Sequence, residues 1–373
     1  MNEATQNSTE EAAAAGFGRG RIKGIDLARA LAIMGMLAVH VRPAGLEGWE
    51  GQLYELPHGR ASVLFVLVAG VGVSLLASSR TTTRNGARMR LGWRALVLLP
   101  VGLALQELDH RVLVILQDYA VLFLVGIAAL GLPNRWLLGL ACLIMLLGPL
   151  VFFAGEVLDP GTFDRSAVSI SDPVGEIAHG LALSGPYPLI TWASPFLFGM
   201  WLGRKGLRQP RVRFALVAAG AVATLLTALV SGVLESAVAT PAGSVGWDQL
   251  LVDAPHSQMP LWLLGSTGSA AFMLGASLFV ADLFGRVAWP LVATGQLALT
   301  VYVGHLLVLH WWSDVLRRDT VTEALAAVLL FMVAASFIAV LWRAFFARGP
   351  LESALNLPWG VSAWLRARRA NDQ

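Results

Sequence analysis

The chain has 373 residues, 56% hydrophobic and only 14% charged, where soluble proteins carry about 25% charged residues; it reads as a polytopic membrane protein with little length left for a soluble domain. A net charge of +3, with the basic residues scattered among connections, excludes a nucleic-acid-binding groove. The single cysteine, Cys142, excludes an internal disulfide and a cysteine metal cluster, and is expected to serve core packing.

Residues 1–20 are polar and alanine-rich and read as a disordered cytoplasmic tail. The first fifteen have neither a basic n-region nor an apolar h-region, so no cleaved signal peptide is expected. Apolar runs of about 20 residues, enough to cross a bilayer, then recur. Ten spans are predicted: Ile25–Arg42, Ala61–Ser79, Leu91–Glu107, Val112–Leu132, Trp136–Ala154, Tyr187–Gly203, Val212–Leu234, Leu261–Leu283, Val287–Trp312 and Val321–Phe346. Basic residues gather before the first span (Arg19, Arg21, Lys23), after the second (Arg80 to Arg94) and after the sixth (Arg204 to Arg213). Acidic residues fill the alternate connections: Glu47, Glu50 and Glu55; Glu156, Asp159, Asp164, Asp172 and Glu176; Glu235, Asp248 and Asp253. The positive-inside rule then puts both termini in the cytoplasm and the long connections 156–186 and 235–260 outside. The expected fold is an all-α integral membrane bundle of about ten helices in the cell membrane. The transmembrane domain covers residues 21–350 and a cytoplasmic tail 351–373, whose basic end Arg366–Gln373 reads as a topology anchor.

The first span carries the most informative residues. Arg29 and His40 lie eleven positions apart, about 16 Å of helix and close to a whole number of turns, so they share one face. Asp26, three residues before Arg29, joins it. A charged side chain at bilayer depth costs about 3 kcal/mol unless it faces a polar interior, so the stripe points to a functional cavity. The competing reading lets Asp26 and Arg29 snorkel to the interface and leaves only His40 to explain.

Further along, His58 precedes the second span and could reach a substrate on the outer side; the alternative is a solvated loop residue. Arg84, Arg88, Arg90 and Arg94 open the third span on the cytoplasmic side. Guanidinium groups grip phosphates, so Arg88, Arg90 and Arg94 could hold a phosphorylated donor, although topology alone explains many such clusters. Asp118 lies about two turns inside the fourth span and must be protonated, paired with a cation such as Arg29 or a histidine, or wet. The ninth span is interrupted by Pro290 and Gly295, with Gln296 following, and is expected to break or kink. Beyond the break, Tyr302 and His305 are one helical turn apart and can share a polar site. His310, beside Trp311 and Trp312, fits an interfacial aromatic belt. No phosphate-binding Gly-rich loop ending in Lys-Ser, no His-Glu-x-x-His zinc pair and no Gly-x-Ser-x-Gly elbow occurs, which removes the usual sequence support for ATP-driven transport, zinc proteolysis and serine hydrolysis.

The run from Ile25-Asp26-Leu27-Ala28-Arg29 through His40 resembles the opening helix of the transmembrane acyltransferase superfamily, in which an arginine and a histidine ten intervening residues apart form a signature. Leu64-Phe65-Val66-Leu67-Val68-Ala69-Gly70-Val71-Gly72, Ile115-Leu116-Gln117-Asp118-Tyr119-Ala120-Val121, and Trp342 with Arg348-Gly349-Pro350-Leu351-Glu352 are similar to segments of its heparan-alpha-glucosaminide N-acetyltransferase catalytic-domain and YeiB-like bacterial members. The resemblance spans nearly the whole chain. It implies transfer of an acyl group from a cytoplasmic acyl-CoA, acetyl-CoA first, to a hydroxyl or amino group of an envelope glycan or glycolipid on the other side, with no metal. On that reading His40 is the general base and His58 or His305 orients substrate or shuttles the proton. Tyr302 accompanies His305, Asp26, Arg29 and Asp118 shape the polar channel, and Arg88, Arg90 and Arg94 hold coenzyme phosphates. Direct transfer and an acyl-histidine intermediate both stay open. The implied partners are the lipid bilayer and the acceptor, not nucleic acid, with a second copy of the chain left open. A transporter or flippase using the same polar stripe is the rival class, and a non-catalytic envelope-assembly partner the third.

Overall fold

The computed structural model describes residues 21–43, 46, 48–159, 161–163, 165–237, 247–312 and 318–359, with helices and no strand among them. The tail of residues 1–20, with Arg19, and the basic end Arg366–Gln373 lie outside the described residues, as do Glu47 and Asp164.

In chain order the helices are α1 (Lys23–His40), α2 (Gly48–Glu55), α3 (Arg60–Ala77), α4 (Arg84–Gln106), α5 (Leu116–Ala129), α6 (Asn134–Leu158) and α7 (Val174–His179), which runs into a π-helical turn at Gly180–Ser184. Then follow α8 (Leu189–Gly203), α9 (Pro210–Ala237), α10 (Pro260–Leu283), α11 (Trp289–Gln296), α12 (Ala298–Trp311), α13 (Val321–Phe345) and α14 (Pro350–Ala354). In lipid, backbone amides must be satisfied within the protein, which is why nearly every apolar run becomes a helix. Side chains finish some ends: Thr83 accepts the Gly86 amide at 3.0 Å, and Thr320 and Glu323 form a reciprocal capping box on α13.

Among the described residues, five helical stretches are long and apolar enough to cross a membrane: residues 48–77, α6, α9, α10 and α13. The bent pair α11 and α12 makes a sixth if counted as one span. This is fewer than the ten predicted from hydrophobic runs, for two reasons. The helices α5 and α8 are only 14 and 15 residues long, and α1 and α4 carry charged first turns that lower their apolar length. The chain is an all-helical, multi-pass membrane protein.

The break predicted in the ninth run is present, but its position differs. Pro290 sits in the first turn of α11, where a missing amide costs nothing, and the chain turns by 83° at Leu297. Cys142 also departs from expectation: it lies on the exposed face of α6 beside Leu143 and Leu146, toward lipid rather than the core.

At the centre stands α1, in contact with α3, α10, α11, α12 and α13. The helices α6, α9 and α13 leave most of their apolar side chains exposed and form the lipid-facing side. Around α1 the packing is close. The α3–α8 crossing brings Gly70 against the Phe196 carbonyl and Gly199 against the Leu67 carbonyl, leaving no room for a Cβ on either. Gly70→Ala and Gly199→Ala are each expected to destabilise the protein by about 1–3 kcal/mol through overpacking, whereas Gly139→Ala, with open space around it, is neutral. Thermal unfolding in detergent measures the three side by side.

Candidate active site

One end of α1 concentrates arginine. Asp26 is almost fully buried and accepts Arg29 Nη1 at 2.7 Å, Arg21 Nε at 2.5 Å and Arg21 Nη2 at 2.8 Å. A buried carboxylate demands such partners. Two guanidinium groups on one carboxylate leave a positive excess, and more gather nearby: Arg29 lies within electrostatic range of Arg94, and Arg94 of Arg90 and Arg348. Arg90 also sits over the Trp359 ring at 5.5 Å. Arg88 is exposed on α4.

The other end concentrates histidine. His40 Nδ1 and His305 Nε2 are 3.2 Å apart with parallel rings, and His305 is fully buried. Tyr302 packs edge-on against His305 with centroids 4.9 Å apart, and its hydroxyl accepts the Ile115 amide at 3.2 Å, joining α12 to the start of α5. His40 lines a cavity of about 340 Å³ whose walls also include His58, His110, His256 and Tyr187, with Arg42 and Arg111 at its edge. His58 is no ordinary loop residue: Glu55 receives its Nδ1 at 2.9 Å and Arg42 Nε at 2.6 Å, a chain that fixes α2 over the cavity.

His110 and His256 were not singled out from sequence. His110 is committed on both nitrogens: Nε2 donates to the Leu105 carbonyl at 2.9 Å and Nδ1 accepts the Val112 amide at 3.1 Å. Burial lowers its pKa, consistent with that neutral tautomer. His256 comes from the loop before α10, where both it and Gln258 adopt positive φ, 57° and 65°. Gln258 holds that loop. Its Oε1 accepts Thr191 Oγ1 and Trp192 Nε1, each at 2.9 Å, and its Nε2 donates to the Pro186 carbonyl at 2.9 Å. The His256 ring then faces His58, 5.7 Å between centroids, while its buried Nδ1 has no partner. Only topology brings this loop to α1. The available signal was a histidine in a long connection, followed by Ser257-Gln258-Met259-Pro260.

Asp118 pairs with neither Arg29 nor a histidine. It is buried in the first turn of α5, on the histidine side near Tyr187 and Tyr302. Between the two ends lies an aromatic layer. Phe65 sits 5.3 Å from Tyr119 and 6.1 Å from Tyr302, and Tyr119 lies within range of Arg29. The cavity reaches His40 but Arg29 is not part of its wall. The stripe expected on α1 thus has an arginine end and a histidine end, with Phe65, Tyr119 and Tyr302 between them. Among the described residues, no group of three His, Cys, Asp or Glu side chains is placed to hold a metal ion.

Residues 22–343 match the acyltransferase-domain family, and the chain belongs to that acyltransferase family. No curated protein matches the chain. The match covers the histidine end and, at the arginine end, Asp26, Arg29, Arg90 and Arg94, while Arg21 and Arg348 lie just outside it.

The pH dependence of the cavity wall follows from His256. Burial, with His58 and Arg165 adding to it, lowers its pKa to about 3, against about 6.5 in an unfolded chain. Between these values the unfolded state binds the extra proton, so the contribution of His256 to stability is complete above pH 6.5 and is lost as pH falls toward 3. The melting temperature should therefore drop more steeply from pH 7 to pH 4 in the wild type than in His256→Gln. Parallel slopes would contradict the assignment.

Proposed function

We propose that this acyltransferase moves an acyl group, acetyl first, from a cytoplasmic acyl-CoA to a hydroxyl or amino group of an envelope sugar or glycolipid on the other side of the cell membrane. Both termini are then cytoplasmic. The observation that carries the reading is the His40–His305 pair at the wall of the cavity, on the same helix as the Asp26–Arg29 pair, in a chain of the acyltransferase family. The sequence likeness to glucosaminide N-acetyltransferase and YeiB-like proteins supports the choice of donor and acceptor class.

His40 Nδ1 is engaged by His305, so Nε2 is the nitrogen offered to substrate. In the tautomer that makes Nε2 a base, His40 Nδ1–H donates to His305 Nε2, and the buried His305 Nδ1 has no hydrogen-bond partner among the described residues. His40 takes the acceptor proton as the acceptor oxygen or nitrogen attacks the thioester carbonyl. The carbon–sulfur bond breaks, the acyl group stays on the acceptor, and the proton leaves with the thiolate as free coenzyme thiol. His58 and His256, on the cavity wall, contact the acceptor. Arg29, Arg90, Arg94 and Arg348 receive donor phosphates; exposed Arg88 has a lesser part. The acyl arm reaches His40 by displacing Phe65 from the aromatic layer.

Purified protein in detergent, given labelled acetyl-CoA and soluble glycan or glycolipid acceptors, should release thiol and acetylated product together. His40→Ala is expected to lower kcat by about 10²–10⁴-fold, the usual contribution of a general base. Arg94→Ala should raise the KM for acetyl-CoA by about 10-fold or more, as loss of a charge-assisted bond does. Activity that needs a gradient across sealed liposomes and vanishes in detergent would instead mark a transporter.

A further inference from the structure

The half-helix α12 starts without a cap of its own. Leu297 precedes it, and no side chain of its N-cap bonds to the first turn. The leading amides of a helix have no partners inside it. Here they are satisfied from the far end of the chain: Glu352 Oε1 accepts the amides of Leu299 at 2.8 Å and Thr300 at 3.1 Å, and Oε2 accepts the Thr300 hydroxyl at 2.6 Å. Thr300 Oγ1 in turn accepts the Leu351 amide at 3.2 Å. A negative charge at this position also opposes the helix dipole.

The turn that delivers Glu352 is built for close contact. Trp342 Nε1 donates to the Arg348 carbonyl at 2.8 Å, and Trp342 packs with Leu297, Ala293 and Ala339. At Gly349 a Cβ would collide first with the Glu352 carboxylate and then with Leu297 and Thr300 Oγ1, each at 2.9 Å, so a larger residue there would disturb the cap itself. The same place meets α1. Gly295 lies directly against the Asp26 backbone carbonyl, and Glu352 is within electrostatic range of Arg21, which holds Asp26.

We propose that Glu352 is a positioning residue: by capping α12 from α14 it sets the height and rotation of the half-helix, so that His305 meets His40. A helix of 14 residues joined to its neighbour through an 83° bend has no continuous helix behind it to keep its register. His305 lies five residues beyond Thr300, about 7.5 Å along the axis, so a slip at the cap is transmitted directly to the histidine pair. The catalytic meaning of this clasp rests on the acyl-transfer reading above; the placement of α12 does not.

The full chain in lipid nanodiscs provides the test. Glu352→Ala should lower kcat by about ten- to a hundredfold, as expected when a reacting group is misplaced by about 1 Å, while the KM for acetyl-CoA stays within about threefold, the mark of an interaction felt in the transition state. Its pH–rate profile should coincide with that of His305→Ala. Glu352→Gln keeps an oxygen for the two amides and should restore most of the rate; Thr300→Val should cause a smaller loss in the same direction and serves if Glu352→Ala does not fold. An activity-independent readout uses spin labels at Arg42→Cys and Trp311→Cys in a Cys142→Ser background, where Glu352→Ala should broaden the distance distribution. Unchanged kcat or an unchanged distance distribution in folded Glu352→Ala overturns the clasp. A broadened distribution in a protein that transfers no acyl group upholds the clasp and overturns the acyl-transfer reading.

Discussion

The pairing of Asp26 with Arg21 and Arg29 constrains everything around it. A carboxylate this deeply buried in a helical membrane protein is stable only with cations in direct contact. Its direct cations come from its own helix and the residues leading into it, Arg29 and Arg21, with Arg343 of α13 within electrostatic range. The helix that bears the pair is consequently surrounded rather than lipid-facing, and His40 on the same face is carried into the interior with it. The histidine pair is thus a consequence of where α1 has to sit.

Much of this was legible in the sequence. The spacing of Arg29 and His40 depends only on helix geometry, and Tyr302 with His305 likewise shares a turn by local spacing. Helices arose where the apolar runs were, since a bilayer leaves the backbone little choice. Less legible were features set by how helices meet. The ten crossings are not confirmed, because run length does not reveal that α5 and α8 stop early and that α1 opens with charge. Cys142 looked like a core residue because residues facing lipid and residues facing protein are equally apolar.

The candidate site divided along the same line. His256 is placed by Gln258, whose bonds to Thr191, Trp192 and Pro186 join segments far apart in the chain. No local pattern announces such a contact. Asp118 was expected to be protonated, paired with a cation or a histidine, or wet; it is buried at the start of α5 and, among the described residues, in no ion pair. The aromatic layer was not legible for a related reason: Phe65, Tyr119 and Tyr302 come from three helices, and local spacing links Tyr302 to His305 without showing what else it meets.

His40 and His305 stand 265 residues apart in the chain. A ribosome-bound fragment can insert α1 early, yet its imidazole stays single until the last third of the polypeptide has entered the membrane. Biogenesis therefore withholds the paired histidines until the surrounding helices are in place, and a product truncated before α12 carries the Asp26–Arg29 pair without the imidazole couple at the other end of α1.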